Sequence, residues 1–332
     1  MKYFVTGGAG FIGSNFIKFL LKTDKSIKII NYDKLTYAGN LENLAEIEND
    51  SRYSFIKGDI ADALLVDKSM SGSDIVVNFA AETHVDRSIG DPADFIKTDV
   101  EGAYVLLESA KKHNVKNFIQ ISTDEVYGSI EKGSFNEGSP LNPTNPYSAS
   151  KSGADRLAFS YWATYKLPVI ITRASNNYGP NQYPEKIIPL FVTNALEGKE
   201  LPLYGDGMNV RDWLYVEDHC RALVFLIEKG KHGEVYNIGG GNEITNRDLT
   251  EKILSILDKP ASLIKKVTDR MGHDKRYSLD CGKLLNLGWK QKTDFHHGLE
   301  KTVEWYVKNE DWWKRIKTGR YLEYYRKQYG NR

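Results

Sequence analysis

Runs of β-forming residues alternate with stretches of helical spacing from the start of the chain. "KYFVT" reads as a buried strand, and "FIGSNFIKFLLK" repeats its apolar residues at the spacing of a helix face. Further strands are predicted at "SIKIINYD", "YSFIKGDI", "DIVVNFAA" and "VKNFIQIS", each separated from the next by a helix. A long helix over 146–166 then leads into a sixth strand, "LPVIITRAS". This β-α-β-α order predicts an α/β fold with a doubly wound parallel sheet.

The texture changes after Ser175. "NNYGPNQYPEK" is rich in turn residues, and a helix, "IIPLFVTNALEG", and short strands near "LPLYG", "NVRDWLYV" and "EVYNIGG" follow. The predicted organisation is a Rossmann-type sheet over 1–175 with a return segment near 215–242. Residues 176–332 form mainly a smaller, interleaved C-terminal lobe that binds substrate. A chain of 332 residues has room for both.

The bulk numbers narrow the classes of function. The net charge is +1, which gives no footing for an acidic or nucleic-acid partner. Cys220 and Cys281 are few and far apart, so neither a disulfide framework nor a metal site is expected. "MKYFVTGGAG" reaches glycines too soon for a secretory signal, and no apolar run approaches the roughly 18 residues of a membrane span. The expectation is a soluble cytoplasmic protein that uses no membrane. Only the C-terminal "WWKRIKTGRYLEYYRKQYG" mixes aromatic and basic residues densely. It fits an amphipathic helix that packs its rings on the second lobe, or less well a nucleic-acid surface.

"TGGAGFIG" follows the first strand and opens the first helix, with Gly7, Gly10 and Gly13 three apart. Such glycines permit a tight turn and a close approach of a pyrophosphate to the helix N-terminus. Asp33 ends the next strand 20 residues after Gly13. A carboxylate there bonds an adenosine ribose and repels a 2′-phosphate, which favours NAD over NADP. Phe11, Ile12 and Lys34 belong to the same predicted cofactor surface, as does Thr98 farther along. Asp59 and Ile60 are placed to meet the adenine, and Ala80 and Ala81 are small enough to let the cofactor approach. Glu82, Thr83 and His84 project beyond them, and His84 reads equally well as an ordinary surface histidine.

In "YSASK", Tyr147 and Lys151 stand four apart, so on a helix they share one face. An ammonium beside a phenol is expected to lower the phenol's pKa and make it a base near neutral pH. The fifth strand ends on "STDEVYG", which sets Thr123 beside two carboxylates, Asp124 and Glu125.

Together "TGGAGFIG", "HVDRSI", "STDEVYG", "YSASK", "SNNYGP", "PEKIIPLF", "YGDGMNVRDWLYVEDH" and "RMGHDKRYSLD" resemble the extended short-chain dehydrogenase/reductase superfamily. Within it they resemble the nucleotide-sugar 4,6-dehydratases. The resemblance implies oxidation at C4 of dTDP-glucose by tightly bound NAD, loss of water across C5 and C6, and hydride return to C6. It implies Asp124 as the acid toward the C6 oxygen and Glu125 as the base at C5. Thr123 would bond the C4 oxygen beside Tyr147, and Lys151 would bind the nicotinamide ribose. Asn176 would bind substrate, and Asn177 would touch the cofactor. For the nucleotide it implies Thr83, His84, Glu185, Lys186, Pro189 and Leu190. Pro202 and Tyr204 would flank the base, Arg211 and Arg270 would meet the diphosphate, and Asn246, His273 and Tyr277 would complete the pocket. Family members also pair through their two long helices, which implies a homodimer through about 91–113 and 146–166. Phe159 and Trp162 supply a second apolar stripe on the latter.

Two departures stand out: Met271 replaces a frequent proline in "RMGHD", and Thr83 replaces a frequent serine. The same scaffold also serves 4-epimerases, decarboxylases and GDP-mannose dehydratases. Asp124 argues against these, because an epimerase needs no carboxylate pair and the others resemble Thr-Ser-Glu at this turn. A non-catalytic NAD-binding module would be expected to have lost part of the set. Thymine against uracil stays open, because one methyl is worth only about 1–3 kcal/mol.

Overall fold

The computed structural model describes residues 1–269 and 273–329. Six strands arise before Ser175: β1 (Lys2–Thr6), β2 (Lys28–Asp33), β3 (Tyr53–Lys57), β4 (Ile75–Asn78), β5 (Asn117–Thr123) and β6 (Val169–Ala174). Next come β7 (Asn176–Tyr178), β8 (Leu201–Tyr204), β9 (Val210–Tyr215), β10 (Val235–Ile238), β11 (Glu243–Thr245) and β12 (Ile264–Val267). Seven of them form one parallel sheet in the order β10-β6-β5-β4-β1-β2-β3. Helices cover both faces, so β4 and β5 are buried at every position, their polar residues included. The winding reverses between β1 and β4, and a crevice opens there at the carboxyl ends of the strands.

Local chemistry sets the helices around that crevice. Asn145 caps Pro146–Tyr165 by accepting from the Ser148 amide, and the Ser148 hydroxyl accepts from the Asn145 amide in return. Pro146 fits the first turn, and Lys166 in the left-handed region (φ 58°) ends the helix. The expected helix between β2 and β3 is instead a 3₁₀ helix, Leu41–Ile47, because residues 34–40 are drawn out along the crevice first. The helix over 93–112 widens to π pitch across Ile96–Gly102. A side chain at Gly102 would collide with Ile60 at 2.5 Å, so the wide turn lets the helix press against the crevice wall.

The second lobe has two small sheets, β11-β9-β7 and β12-β8. Helices Ile187–Leu196, Asn246–Ile256 and Phe295–Lys308 pack over a core that includes Phe191, Trp213, Leu299 and Tyr306. The terminal aromatic segment forms Glu310–Ile316 and Arg320–Tyr329. Trp313 is fully buried and donates to the Tyr306 carbonyl, and Trp312 donates to Asn43. These rings complete the core rather than a nucleic-acid surface. Helix Val216–Lys229 returns to the first unit, where it joins helix Phe11–Thr23 in one apolar cluster. Among the described residues no helix is long and apolar enough to cross a membrane.

Candidate active site

The crevice begins at the glycine turn. Gly7 adopts φ +65°, and a side chain there would meet the Ala80 amide at 2.6 Å. A side chain on Gly13 would strike the Gly7 carbonyl at 2.4 Å, so the helix could not sit this close to β1. Asp33 holds the turn from the next strand: its carboxylate accepts from the Ala9 amide at 2.9 Å and the Leu35 amide at 2.8 Å. Burial nevertheless raises its pKa against those two bonds. Asp59 pairs with Lys34 at 2.8 Å on the same rim. Every cofactor-side candidate read from the sequence, from Gly7 to Asn177, lines this one cavity of about 300 Å³, at the lower end of ligand-pocket sizes, roughly 300–1,000 Å³.

The chemical groups stand at the inner end. β5 runs straight into a 3₁₀ turn, Asp124–Tyr127, and Thr123 caps it by accepting from the Glu125 amide at 3.3 Å. The Thr123 hydroxyl lies 3.1 Å from Asp124 Oδ1. Asp124 is 3% exposed, and its Oδ2 has no partner among the described residues. Burial, then the charge of Glu125, pushes the Asp124 pKa up to about 8. Two adjacent carboxyl groups thus differ in environment, and Asp124 keeps its proton near neutral pH.

Tyr147 and Lys151 face the same cavity from helix Pro146–Tyr165. The expected low phenol pKa is not a property of this arrangement. Burial, then Glu125 and Asp99, holds Tyr147 well above its ordinary value. Burial lowers Lys151, and its ammonium donates to the Ile121 carbonyl at 2.7 Å. Desolvation of the charged form is the largest cause at both residues.

A second cavity, about 150 Å³, adjoins the first along Glu125, Asn176, Glu185 and Lys186. Alone it falls below the roughly 300 Å³ of a ligand site, but the two make one continuous cleft. His84, Leu190, Pro202, Tyr204 and Arg211 line it, as do Asn246, His273 and Tyr277. The open question over His84 resolves toward the pocket, where it is 7% exposed. Arg211 donates to the Asp274 carbonyl at 2.9 Å and lies 4.4 Å over the Tyr277 ring. Thr83 lies on the cofactor side, and its carbonyl accepts from Lys186 at 2.9 Å. Pro189 is a correction: it is buried in helix Ile187–Leu196 and lines neither cavity. Arg270 and Met271 lie outside the described residues.

Several polar residues in or behind the cleft have no counterpart in the sequence reading. His219 is fully buried, with Nδ1 2.9 Å from the Asn177 side-chain oxygen, and burial lowers its pKa to about 3. Its place in "VEDH" was visible, but its direction was not. Asp99 sits in the π turn and accepts from Ser150 and from the Glu82 amide. Burial raises Asp99 to about 6, and burial together with Asp99 raises Glu82 to about 7. Ser122 Oγ, Asp124 Oδ2, Asn176 Oδ1, Gln182 Oε1 and His219 Nε2 are all buried, lack a partner among the described residues, and belong to residues lining the first cavity. Buried polar atoms left this way are costly unless a ligand bonds them. The glycine cradle, the Asp33 carboxylate and this row of atoms fit a dinucleotide.

Comparison with known proteins agrees with the geometry. The family model described as GDP-mannose 4,6 dehydratase matches residues 4–302. A dTDP-glucose 4,6-dehydratase of Actinoplanes sp. is 52% identical, over 94% of this chain and 100% of its own. The crystal structure of DesIV, a dTDP-glucose 4,6-dehydratase from Streptomyces venezuelae with NAD and TYD bound, superposes with a TM-score of 0.94. It is 51% identical and covers 96% of this chain and 100% of its own. The Thermus thermophilus UDP-glucose 4-epimerase in complex with NAD is more distant, at 28% identity and a TM-score of 0.86 over 93% of this chain and 100% of its own.

Proposed function

Because the chain belongs to the dTDP-glucose 4,6-dehydratase family, within the extended short-chain dehydrogenase/reductases, we propose that it works as those enzymes do, through the residues placed above. It is a hydro-lyase that converts dTDP-glucose to dTDP-4-keto-6-deoxyglucose with NAD. NAD, held by the glycine turn, Asp33 and Lys151, would supply the one chemistry no side chain has, hydride transfer out of C4 and back to C6.

The rest falls to the protein. The positive charge of bound NAD would favour the Tyr147 phenolate against the burial that raises its pKa, so that Tyr147 takes the C4 hydroxyl proton, with Thr123 bonding the same oxygen. The resulting ketone makes the C5 proton acidic, and Glu125 removes it. Asp124, held protonated by burial and by Glu125, delivers its proton to the departing C6 hydroxyl. Lys151 binds the nicotinamide ribose, and Asp33 holds the adenosine ribose. The observation that carries this reading is a buried, raised Asp124 next to a less buried Glu125, both lining one cavity with Tyr147, and Glu125 lining the substrate end as well. An epimerase on the same scaffold has no step for such a pair. Incubation with dTDP-glucose and with UDP-glucose tests it: a 4-keto-6-deoxy product is expected, and a C4 epimer or no turnover of either sugar would overturn it.

Residues 1–175, with the return stretch near 215–242, carry the cofactor end, and 176–332 mainly carry the substrate end. The membership of β10 in the large sheet supports that division. The chain pairs as a homodimer through its two long helices, where Ile96, Tyr104, Phe159 and Tyr165 leave 54%, 49%, 36% and 54% of their surfaces exposed. Trp162 does not belong to that stripe, because it packs within the chain against the Gly233 turn. A dimeric mass at micromolar concentration is expected, and a monomeric one would contradict the pairing. Cys220 and Cys281 are both free thiols, which suits a cytoplasmic enzyme.

A further inference from the structure

The mechanism leaves the terminal helix Arg320–Tyr329 without a role. Its tyrosines do not wait for a partner at the surface. Tyr321 is 3% exposed and donates to the Pro184 carbonyl, and the Tyr325 hydroxyl accepts from Asn194. The next face of the helix lies along the substrate cavity. Tyr324 meets His84 edge-on, with ring centroids 5.5 Å apart. Gln328 spends its side-chain amide on two residues of the cavity wall: it donates to the Tyr204 hydroxyl at 2.7 Å and to Asp86 Oδ2 at 3.0 Å. Tyr329 lines the cavity itself, its ring 6.1 Å from that of Tyr204.

The same helix is tied to the cofactor side. The Arg87 guanidinium lies over two rings, Tyr37 at 3.9 Å and Tyr324 at 4.2 Å, and it pairs with Glu185 at 3.0 Å. Tyr37 belongs to the stretch between β2 and the 3₁₀ helix, and Glu185 lines both cavities. The helix thus closes the outer edge of the cleft where Tyr204 stands.

We propose that helix Arg320–Tyr329 is the outer wall of the nucleotide pocket, and that Gln328 and Tyr329 are positioning residues that hold the Tyr204 ring ready for the nucleoside. The inference rests on the nucleotide-sugar reading above. An aromatic ring fixed before binding loses little freedom when a base packs on it, so its supports appear in affinity. The Gln328 amide bridges Tyr204 and Asp86 on the cavity wall.

The test is calorimetric titration of dTDP into NAD-loaded enzyme, for the parent and for Gln328→Leu, Tyr329→Leu and Lys327→Ala. Losing one buried hydrogen bond or one ring contact should weaken dTDP roughly tenfold in each of the first two variants. NAD content should not change, and with dTDP-glucose the loss should fall on KM rather than kcat. Lys327 lies on the exposed face of the same helix, so its variant should bind dTDP as the parent does. Parent affinity in both Gln328→Leu and Tyr329→Leu would overturn the proposal. So would a parallel loss of NAD and dTDP, or a loss in Lys327→Ala as well, since either marks a general prop of the fold. A parent enzyme that binds no dTDP would instead sink the functional reading itself.

Discussion

Two buried polar clusters stand back to back on β5 and β6, and they are built in opposite ways. In one, Arg173 is 1% exposed and forks onto Asp155 at 2.8 and 3.0 Å. Its remaining nitrogen donates to the Tyr127 hydroxyl at 2.8 Å, and that hydroxyl donates to Asn237 at 2.8 Å. In the other, in the turn just past β5, Asp124 is nearly as buried, yet one of its oxygens meets no partner among the described residues. Arg173 sits opposite Ser122 in the strand register, and Ala174 opposite Thr123. Depth alone therefore does not explain the strain on Asp124. The satisfied cluster fixes the turn that carries the carboxylates, and the unsatisfied one keeps its bonding capacity for the reaction.

The largest expected effects separate the clusters by what they cost. Glu125→Gln and Asp124→Asn should each lower product formation by roughly 10²–10⁴, the worth of a positioned acid or base. Thermal stability should hold or rise in Asp124→Asn, because a buried ionisable group is removed. Arg173→Met should do the reverse to stability, since breaking a buried pair leaves a lone charge and costs about 3–5 kcal/mol. A calorimetric or denaturant melt reads this directly. If both kinds of variant lost stability alike, the contrast between the clusters would be false.

Asp33→Ala sharpens the same contrast at the cofactor end. Its carboxylate bonds the Ala9 and Leu35 amides in the protein and faces the cleft as well. The variant should hold NAD more weakly and discriminate less against NADP, as measured by retained nucleotide after gel filtration and by titration with each cofactor. Unchanged affinity for both would place the ribose contact elsewhere.

The contrast also reaches the pH dependence of stability. The pKa of Asp124 is about 8 in the folded chain, against an ordinary value of 3.8. Between those values the folded state holds a proton that the unfolded state has released, so this group's contribution is full below about pH 4 and fades as pH rises toward 8. Asp124→Asn should flatten the stability profile across that window. An unchanged slope would mean that Asp124 is ionised in the folded protein.

Much of this was legible in the sequence because it is local. The glycine spacing, the ribose carboxylate and the Thr123–Glu125 triplet each lie within one turn or at one strand end, where residue type sets geometry directly. What stayed hidden depends on segments that meet only in the fold. His219 faces Asn177 across a return of the chain, and Gln328 reaches Tyr204 from the far end of the sequence. The high pKa of Tyr147 stayed hidden for the same reason: spacing shows Lys151 four residues on, but not the burial of the phenol or the turn of the ammonium toward the Ile121 carbonyl. Pro189 matched a motif, yet its helix turns it away from the cleft.

The central claim is that Asp124 and Glu125 do different work, and exchange at C5 in deuterated water separates them. With dTDP-glucose, Glu125→Gln should still oxidise C4, seen as reduced nicotinamide absorbance that builds up on the enzyme. It should incorporate no deuterium at C5. Asp124→Asn should go on exchanging C5 after product formation has fallen. Product from both variants at the parent rate, with the same deuterium content, would contradict the account.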